Sequence, residues 1–365
     1  LPRADFNDGN NEGSGFFEVN QNNGQRWSTA RAFLRPAEGR ANLRVITRAH
    51  TETVMLEGKR ATGVTWRENG MLKSARAGRE VLLAAGAINS PKILELSGIG
   101  RADVLSDLGV PVQHDCPGVG ENLQDHLQIR TVFKVHNTKT LNEKSNSILG
   151  KIAMGAQYVL KRSGPLSMAP SQFGMFTKSD ETVATPDLEY HVQPLSCDKL
   201  GDPLHPFPAI TVSVCNLRPE SVGSTHAAST NHRQQPDIQL NYLSAERDKH
   251  VAVKAVQQAR NIMQAEALKP FTPEELLPGP GIASYDDLLR EAGNLATTIF
   301  HPVGTCKMGS DSMAVVDDQL RVHGIGGLRV IDASVMPKIV SGNTASPVIM
   351  IAEKAADMIK AAGQA

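Results

Sequence analysis

The sequence predicts an α/β fold in which one domain is interrupted by an inserted domain of α+β character. Three observations carry this expectation. Glu80-Val81-Leu82-Leu83-Ala84-Ala85-Gly86-Ala87 is a short apolar run that ends in small residues and leads into a helical segment at Lys92–Leu96. A buried strand feeding a helix is the repeating unit of a helix-covered sheet. The pattern returns near the C-terminus, where the apolar run Leu328–Ile331 ends in Asp332 and is followed by a periodic segment carrying Val348, Ala352, Ala355 and Ile359. Residues 127–294 differ, with polar loops and a proline-rich stretch at Pro203, Pro206 and Pro208. The expected division is therefore 1–126, 127–294 and 295–365, the outer two segments forming one domain.

Taken in order, residues 6–25 are rich in turn signals, among them Asn22-Asn23-Gly24. Ala41–Ala49 reads as a short strand, and Thr51–Arg60 with Ala61–Trp66 as a hairpin of alternating residues. The 80–87 strand comes next, with Ser90-Pro91 expected to cap and open the helix, proline taking its first position. Small residues at such a strand end let a ligand approach the backbone, and tight strand-to-helix packing explains them equally well. In the central segment, Pro236–Tyr242 contains a strand. A helix follows with Ala252, Val256, Ala259 and Met263 on one face, a core-packing stripe. Ser346-Pro347 is expected as N-cap and first residue of the last helix.

Composition narrows the function. Among 365 residues, 38 Lys and Arg balance 38 Asp and Glu, and the charges are interspersed. This argues against nucleic acid or an anionic membrane as the main partner. No apolar run approaches the roughly 20 residues needed to span a bilayer. Cys116, Cys197, Cys215 and Cys306 are far apart and form no CxxC pair, so no metal site is expected and reduced thiols in a cytoplasmic protein are the default. Peripheral attachment at the inner face of a membrane is the alternative location. The opening Leu1-Pro2-Arg3-Ala4-Asp5 has neither an initiator methionine nor a signal-peptide pattern and reads as cut into.

Two polar residues stand out. His301 lies in Thr298-Ile299-Phe300-His301-Pro302-Val303-Gly304-Thr305, where Pro302 restricts it. Imidazole takes and returns a proton near neutrality. Asn343 lies in Ser341-Gly342-Asn343-Thr344-Ala345 ahead of the last helix, whose free N–H groups favour an anion. A structural histidine and a plain turn residue are the alternatives. Asp332, at a strand end, is suited to accept hydrogen bonds from a sugar-like polyol. Cys306 lacks the partners of a nucleophile. His126 looks catalytic in isolation, and His205, His226 and His232 read as surface residues.

Four ordered blocks resemble the glucose–methanol–choline (GMC) oxidoreductases: Gly86–Gly100, Gly118–His126, His301–Thr305 and Gly342–Thr344. The resemblance extends from about Asp5 to Lys360 and lies nearest the bacterial choline and aliphatic-alcohol dehydrogenases. It implies a Rossmann-like FAD/NAD(P)-binding domain plus a sheet-and-helix substrate-binding domain. It also implies FAD as cofactor and oxidation of a primary alcohol to an aldehyde by hydride transfer to flavin N5. His301 would be the base, Asn343 would hydrogen-bond the substrate oxygen, and a quinone or other carrier would take the electrons. Val54, Ala85, Gly86, Asp332, Ala333, Asn343 and Thr344 fall on cofactor-contacting positions. His126 is set aside as structural only on this resemblance. Choline oxidation, a hydroxynitrile-lyase-like reaction and an inactive remnant remain open. Choline calls for an aromatic cage, and Trp27 and Trp66 both lie outside 127–294, which favours an uncharged alcohol.

One family element is not found. No GxGxxG turn follows a strand, since Gly98-Ile99-Gly100, Gly118-Val119-Gly120, Gly279-Pro280-Gly281 and Gly324-Ile325-Gly326 all lack the third glycine. The chain thus corresponds to the C-terminal two-thirds of a family member and is expected to hold FAD weakly or not at all when alone.

Overall fold

A computed structural model describes residues 2–3, 5–169, 171–199 and 201–363. The chain divides into two compact units. One comprises residues 46–126, 218–245 and 298–365, the other 1–45, 127–217 and 246–297. The expected three-part division therefore needs two corrections. Residues 1–45 go with the central segment because Gly13–Phe16 adds a strand to its sheet, and residues 218–245 go with the outer segments.

The unit carrying the motif blocks is mixed α/β. Val81–Leu83 pairs parallel with Leu328–Val330, so strands 245 residues apart in the chain lie side by side. Val81, Leu83, Leu328 and Val330 enter one core with Val54, Ile93, Leu94, Ile99, Cys306 and Ala355. The hairpin forms as His50–Glu57 and Arg60–Glu68, turning at Gly58, and Met71–Arg76 adds a third antiparallel strand. Residues 41–49 form no strand. Leu43, Val45 and Ile46 are exposed there, and strand propensity without a paired neighbour does not suffice.

The helix that was expected to open at Ser90-Pro91 runs from Gly86 to Leu96, with Pro91 inside it. An interior proline leaves a carbonyl one turn earlier without its N–H donor. Here the Thr305 hydroxyl donates to the Ala87 carbonyl at 2.6 Å and replaces that donor. Gly86 itself has φ +82°, a conformation that costs a Cβ-bearing residue about 1–2 kcal/mol. Gly86→Ala is expected to lower stability by about that amount in urea denaturation, and an unchanged midpoint would refute the assignment of strain. The last helix is Ala345–Ala362 with Thr344 as its N-cap, two residues earlier than the expected Ser346. Ile351, Ala355 and Met358 face the core whereas Ala352 is exposed.

The other unit is an antiparallel sheet in the order Gly13–Phe16, Phe173–Thr177, Leu188–Gln193, Ala209–Asn216, Leu127–Lys134, Glu274–Leu277. The helix Glu246–Met263 buries Ala252, Val256, Ala259 and Met263 as their spacing predicts. It covers the face of the sheet that carries Tyr190, whose hydroxyl donates to the Ala255 carbonyl at 2.8 Å. In the same unit, Asn23 (φ +49°) and Gly24 (φ +67°) make the tight turn between Gln21–Asn22 and Gln25–Arg26.

Candidate active site

The backbone of His301 is fixed from one carboxylate. Asp125, 4 % exposed, accepts the His301 N–H at 2.8 Å on one oxygen and the hydroxyls of Thr298 and Tyr242 on the other. Burial and the Asp125 charge push the Tyr242 phenol far above its ordinary range, so it stays a donor. Phe300, next to His301, is held at φ +65° and is 67 % exposed. A bulky residue in that conformation stores strain, which collects at functional loops.

The imidazole of His301 meets a second imidazole. His126 Nδ1 lies 3.0 Å from His301 Nδ1, the rings standing nearly perpendicular. Two neutral imidazoles can share one proton across such a contact, so the tautomer of each ring is tied to that of the other. His126 is fully buried. Sequence reading set it aside as structural, and the only signal that could have promoted it was its place beside Asp125 in a motif block.

The segments bearing His301 and Asn343 are joined by the same short stretch. Asn122 donates through Nδ2 to the carbonyls of Gly304 and Pro337, each at 3.2 Å. Gln124 exchanges backbone hydrogen bonds with Val303, and its side chain accepts the Ile339 N–H at 3.1 Å. Val303, Met336 and Ile339 bury together, with Val340 and Val348 against them. Gly304, at φ +95°, allows this approach, since a Cβ there would lie 2.3 Å from the Asn122 carbonyl oxygen. Asn343 itself is exposed on the turn before the last helix, and Thr344 is buried.

The residues assigned to the cofactor divide into two groups. Ala84 and Ala85 are exposed at the strand end, and nothing lies within 4 Å of where a Gly86 Cβ would be. A cavity of about 220 Å³ beside them is lined by Ala85, Asn89, Lys92, His50 and His232. Ala333 is half-buried in the same region of the chain as Asp332. Asp332, in contrast, is consumed internally. One carboxylate oxygen accepts the Gly86 N–H at 2.9 Å and the Ser90 hydroxyl, the other the N–H and hydroxyl of Ser334. A carboxylate offers about four acceptor positions, and all are taken. Through these four hydrogen bonds Asp332 joins the two strand ends. Val54 is buried, and its N–H is committed to Ser97 Oγ at 2.8 Å.

The three histidines expected at the surface are all engaged. His205 Nδ1 lies 2.8 Å from Ser196 Oγ, and His232 Nδ1 2.9 Å from Glu52. His226 Nδ1 lies 2.6 Å from the buried Glu95, with its other nitrogen 3.3 Å from Glu121. The hydrogen bond to Glu95 raises the His226 pKa above its ordinary 6.5, with the charges of Glu95 and Glu121 adding to it against burial and Arg101. A raised folded-state value means that this stabilisation is complete below the unfolded pKa and is lost as pH rises through the higher folded one. The difference in melting temperature between wild type and His226→Phe should therefore shrink as pH is raised above 6.5. A difference that widens would overturn the assignment.

Cys306 is inert, because burial and then the Asp332 charge push its thiol well up. All four cysteines are free and buried. In the sheet unit one face is polar, carrying Gln128, Arg130, Glu189, His191, Gln193, Thr211 and Ser213, all buried. On it Glu189, His191 and Cys215 bring their ligand atoms within 4.8 Å of one another. Glu189 Oε1 and His191 Nε2 face each other at 3.2 Å, yet neither makes a well-aligned hydrogen bond. This is the one group among the described residues that could hold a soft divalent cation. Glu189 and Cys215 meet only through strand register, which no cysteine spacing in the sequence displays. The alternation of Glu189, His191 and Gln193 was the available sign of a polar sheet face.

GMC oxidoreductase family models match residues 2–128 and 219–352. An alcohol dehydrogenase [acceptor] from Pseudomonas putida is 40 % identical over 360 residues, covering 98 % of this chain and 65 % of that protein. Mitochondrial choline dehydrogenase from Homo sapiens is 42 % identical over 358 residues, 98 % of this chain and 60 % of that one. A solved structure of formate oxidase from Aspergillus oryzae RIB40, directed at modification of its FAD, superposes with TM-score 0.91 at 26 % identity, covering all of this chain and 68 % of that one. The chain thus spans about 60–65 % of the length of these two curated relatives.

Proposed function

The chain belongs to the GMC oxidoreductase family, and from that premise we propose that it supplies the catalytic residues of an FAD-dependent enzyme that oxidises a primary alcohol to an aldehyde. The observation that carries this reading is the His126–His301 contact at 3.0 Å, with the His301 backbone held by Asp125. When His301 donates its Nδ1–H to His126, its Nε2 lone pair is left to take the substrate hydroxyl proton. After that transfer the Nδ1–H contact is still in place, so no rearrangement is needed to hold the charged ring. Asn343, on the turn that Asn122 and Gln124 tie to the His301 segment, would donate to the substrate oxygen as negative charge develops.

FAD, when bound, supplies the hydride acceptor. The bare strand end at Ala84, Ala85 and Gly86 fits such a group, because no side chain occupies the space beside Gly86. Ala333 and the N-terminus of the Ala345–Ala362 helix, with Thr344 as its cap, are the other proposed contacts. A quinone or similar carrier is the proposed electron acceptor. Choline is the second substrate reading, favoured by the 42 % identity to the human choline dehydrogenase. The lack of an aromatic cage weighs less against it now, since Trp27 belongs to the sheet unit.

The test is anaerobic mixing of purified protein carrying this chain, loaded with FAD, with a panel of primary alcohols and choline. Bleaching of the flavin band by one of them, with aldehyde formed, supports the reading. Cyanide release from a hydroxynitrile with the flavin left oxidised throughout would replace it with lyase chemistry.

A further inference from the structure

A helix of a water-soluble protein turns its apolar stripe inward. The helix Ile148–Lys161 does the reverse. Ile148, Leu149, Ile152, Val159 and Leu160 are 77, 78, 62, 71 and 80 % exposed, and no residue of the helix is buried. At 100° per residue these five side chains, with Ala153, Gly155 and Ala156, fill an unbroken arc of about 160°. Gly150, Met154 and Tyr158, on the other side, are partly covered, as is Gly155 at the edge of the arc. Leu166, 56 % exposed, extends the apolar surface into the next turn.

The ends of the helix are well made, so the exposure does not come from fraying. Ser147 accepts the Gly150 N–H at 3.3 Å, and Arg162 closes the helix in a left-handed conformation. Charge completes the pattern. From Lys144 to Lys178 the chain has no Asp or Glu, but carries Lys144, Lys151, Lys161, Arg162 and Lys178. Lys151 borders the apolar arc while Lys161 lies on the side away from it, and the Arg162 guanidinium lies 5.0 Å from the Tyr158 ring. At ~1.5 Å per residue, 14 residues reach about 21 Å, too short to cross a bilayer. No helix among the described residues is long and apolar enough to do so.

We propose that Ile148–Lys161 is an interfacial helix that lies in the surface of a bilayer containing anionic lipid. Its apolar arc enters the acyl boundary, and Lys151 and Arg162 at the border of that arc meet the headgroup phosphates. The charge pattern favours this occupant over a second copy of the chain. A twofold contact would set the same cations against one another with no carboxylate in the segment to offset them.

Co-sedimentation of the full chain with vesicles tests the proposal. Binding is expected with phosphatidylglycerol mixed into phosphatidylcholine, weaker with phosphatidylcholine alone, and falling as salt is added. The double variant Ile152→Glu/Val159→Glu should reduce the partition roughly tenfold or more, with an unchanged melting temperature because both side chains already face solvent. Lys151→Gln/Arg162→Gln should show a smaller preference for the phosphatidylglycerol-containing vesicles than wild type. No sedimentation with either vesicle, or a glutamate variant that binds as well as wild type, would overturn the proposal. So would a wild-type dimer that this variant dissociates without lipid, which would assign the face to a second copy.

Discussion

Replacing His301 by glutamine is expected to lower kcat for alcohol oxidation by roughly 10²- to 10⁴-fold, the usual contribution of a positioned general base. Flavin content should not change, because the residues proposed to hold FAD lie at Ala84–Gly86, Ala333 and the last helix. Glutamine can keep a hydrogen bond toward His126 but has no lone pair basic enough to take the substrate proton near neutrality. The limb of the rate–pH profile that reports the base should therefore disappear along with the rate. His126→Phe gives the complementary measurement. It leaves His301 able to ionise but removes the ring that sets its tautomer, so kcat should fall by less than in His301→Gln, KM should hold, and the pH limb should shift. Stopped-flow flavin reduction with both variants provides the readings. A His301→Gln enzyme within tenfold of wild type would remove the imidazole from the chemistry.

The contrast between His301 and His126 shows how far the sequence could be read. His301 stands out in the sequence because Pro302 and Gly304 surround it with local constraints that affect only their neighbours in the chain. Its contact with His126 does not, since it spans 175 residues. The same division holds for the fold. The hairpin at Gly58, the Ala252–Met263 stripe and the separate strands at 81–83 and 328–330 follow from local period and turn chemistry, whereas the parallel pairing of those two strands does not. The strand expected at 41–49 and the helix start expected at Ser90-Pro91 depended on partners that local pattern does not carry. The first has no paired strand, and the second extends back to Gly86 because Thr305 satisfies the Ala87 carbonyl that Pro91 leaves open. The polar face of the central sheet was hidden for the same reason: Glu189 and Cys215 become neighbours only through register.

Asp332→Ala is expected to be among the most destabilising single changes in this chain, costing about 3–5 kcal/mol in urea unfolding. Four donors converge on that carboxylate from two separate segments, and it is 5 % exposed. Alanine leaves the Gly86 and Ser334 N–H groups and two hydroxyls without an acceptor, each a loss of about 1–3 kcal/mol when water cannot reach it. These losses are not additive, because relaxation of one loop rescues part of the other. Ser334→Ala removes a single donor and should cost only about 1 kcal/mol. The pair also decides between two roles for Asp332. A carboxylate kept for a polyol would, on becoming alanine, leave the cofactor-free chain as stable as before and weaken only FAD binding. A carboxylate that joins the ends of the 81–83 and 328–330 strands must weaken the chain before any ligand is added. The four internal hydrogen bonds select the second outcome, and a cofactor-free unfolding midpoint unaffected by Asp332→Ala would restore the first.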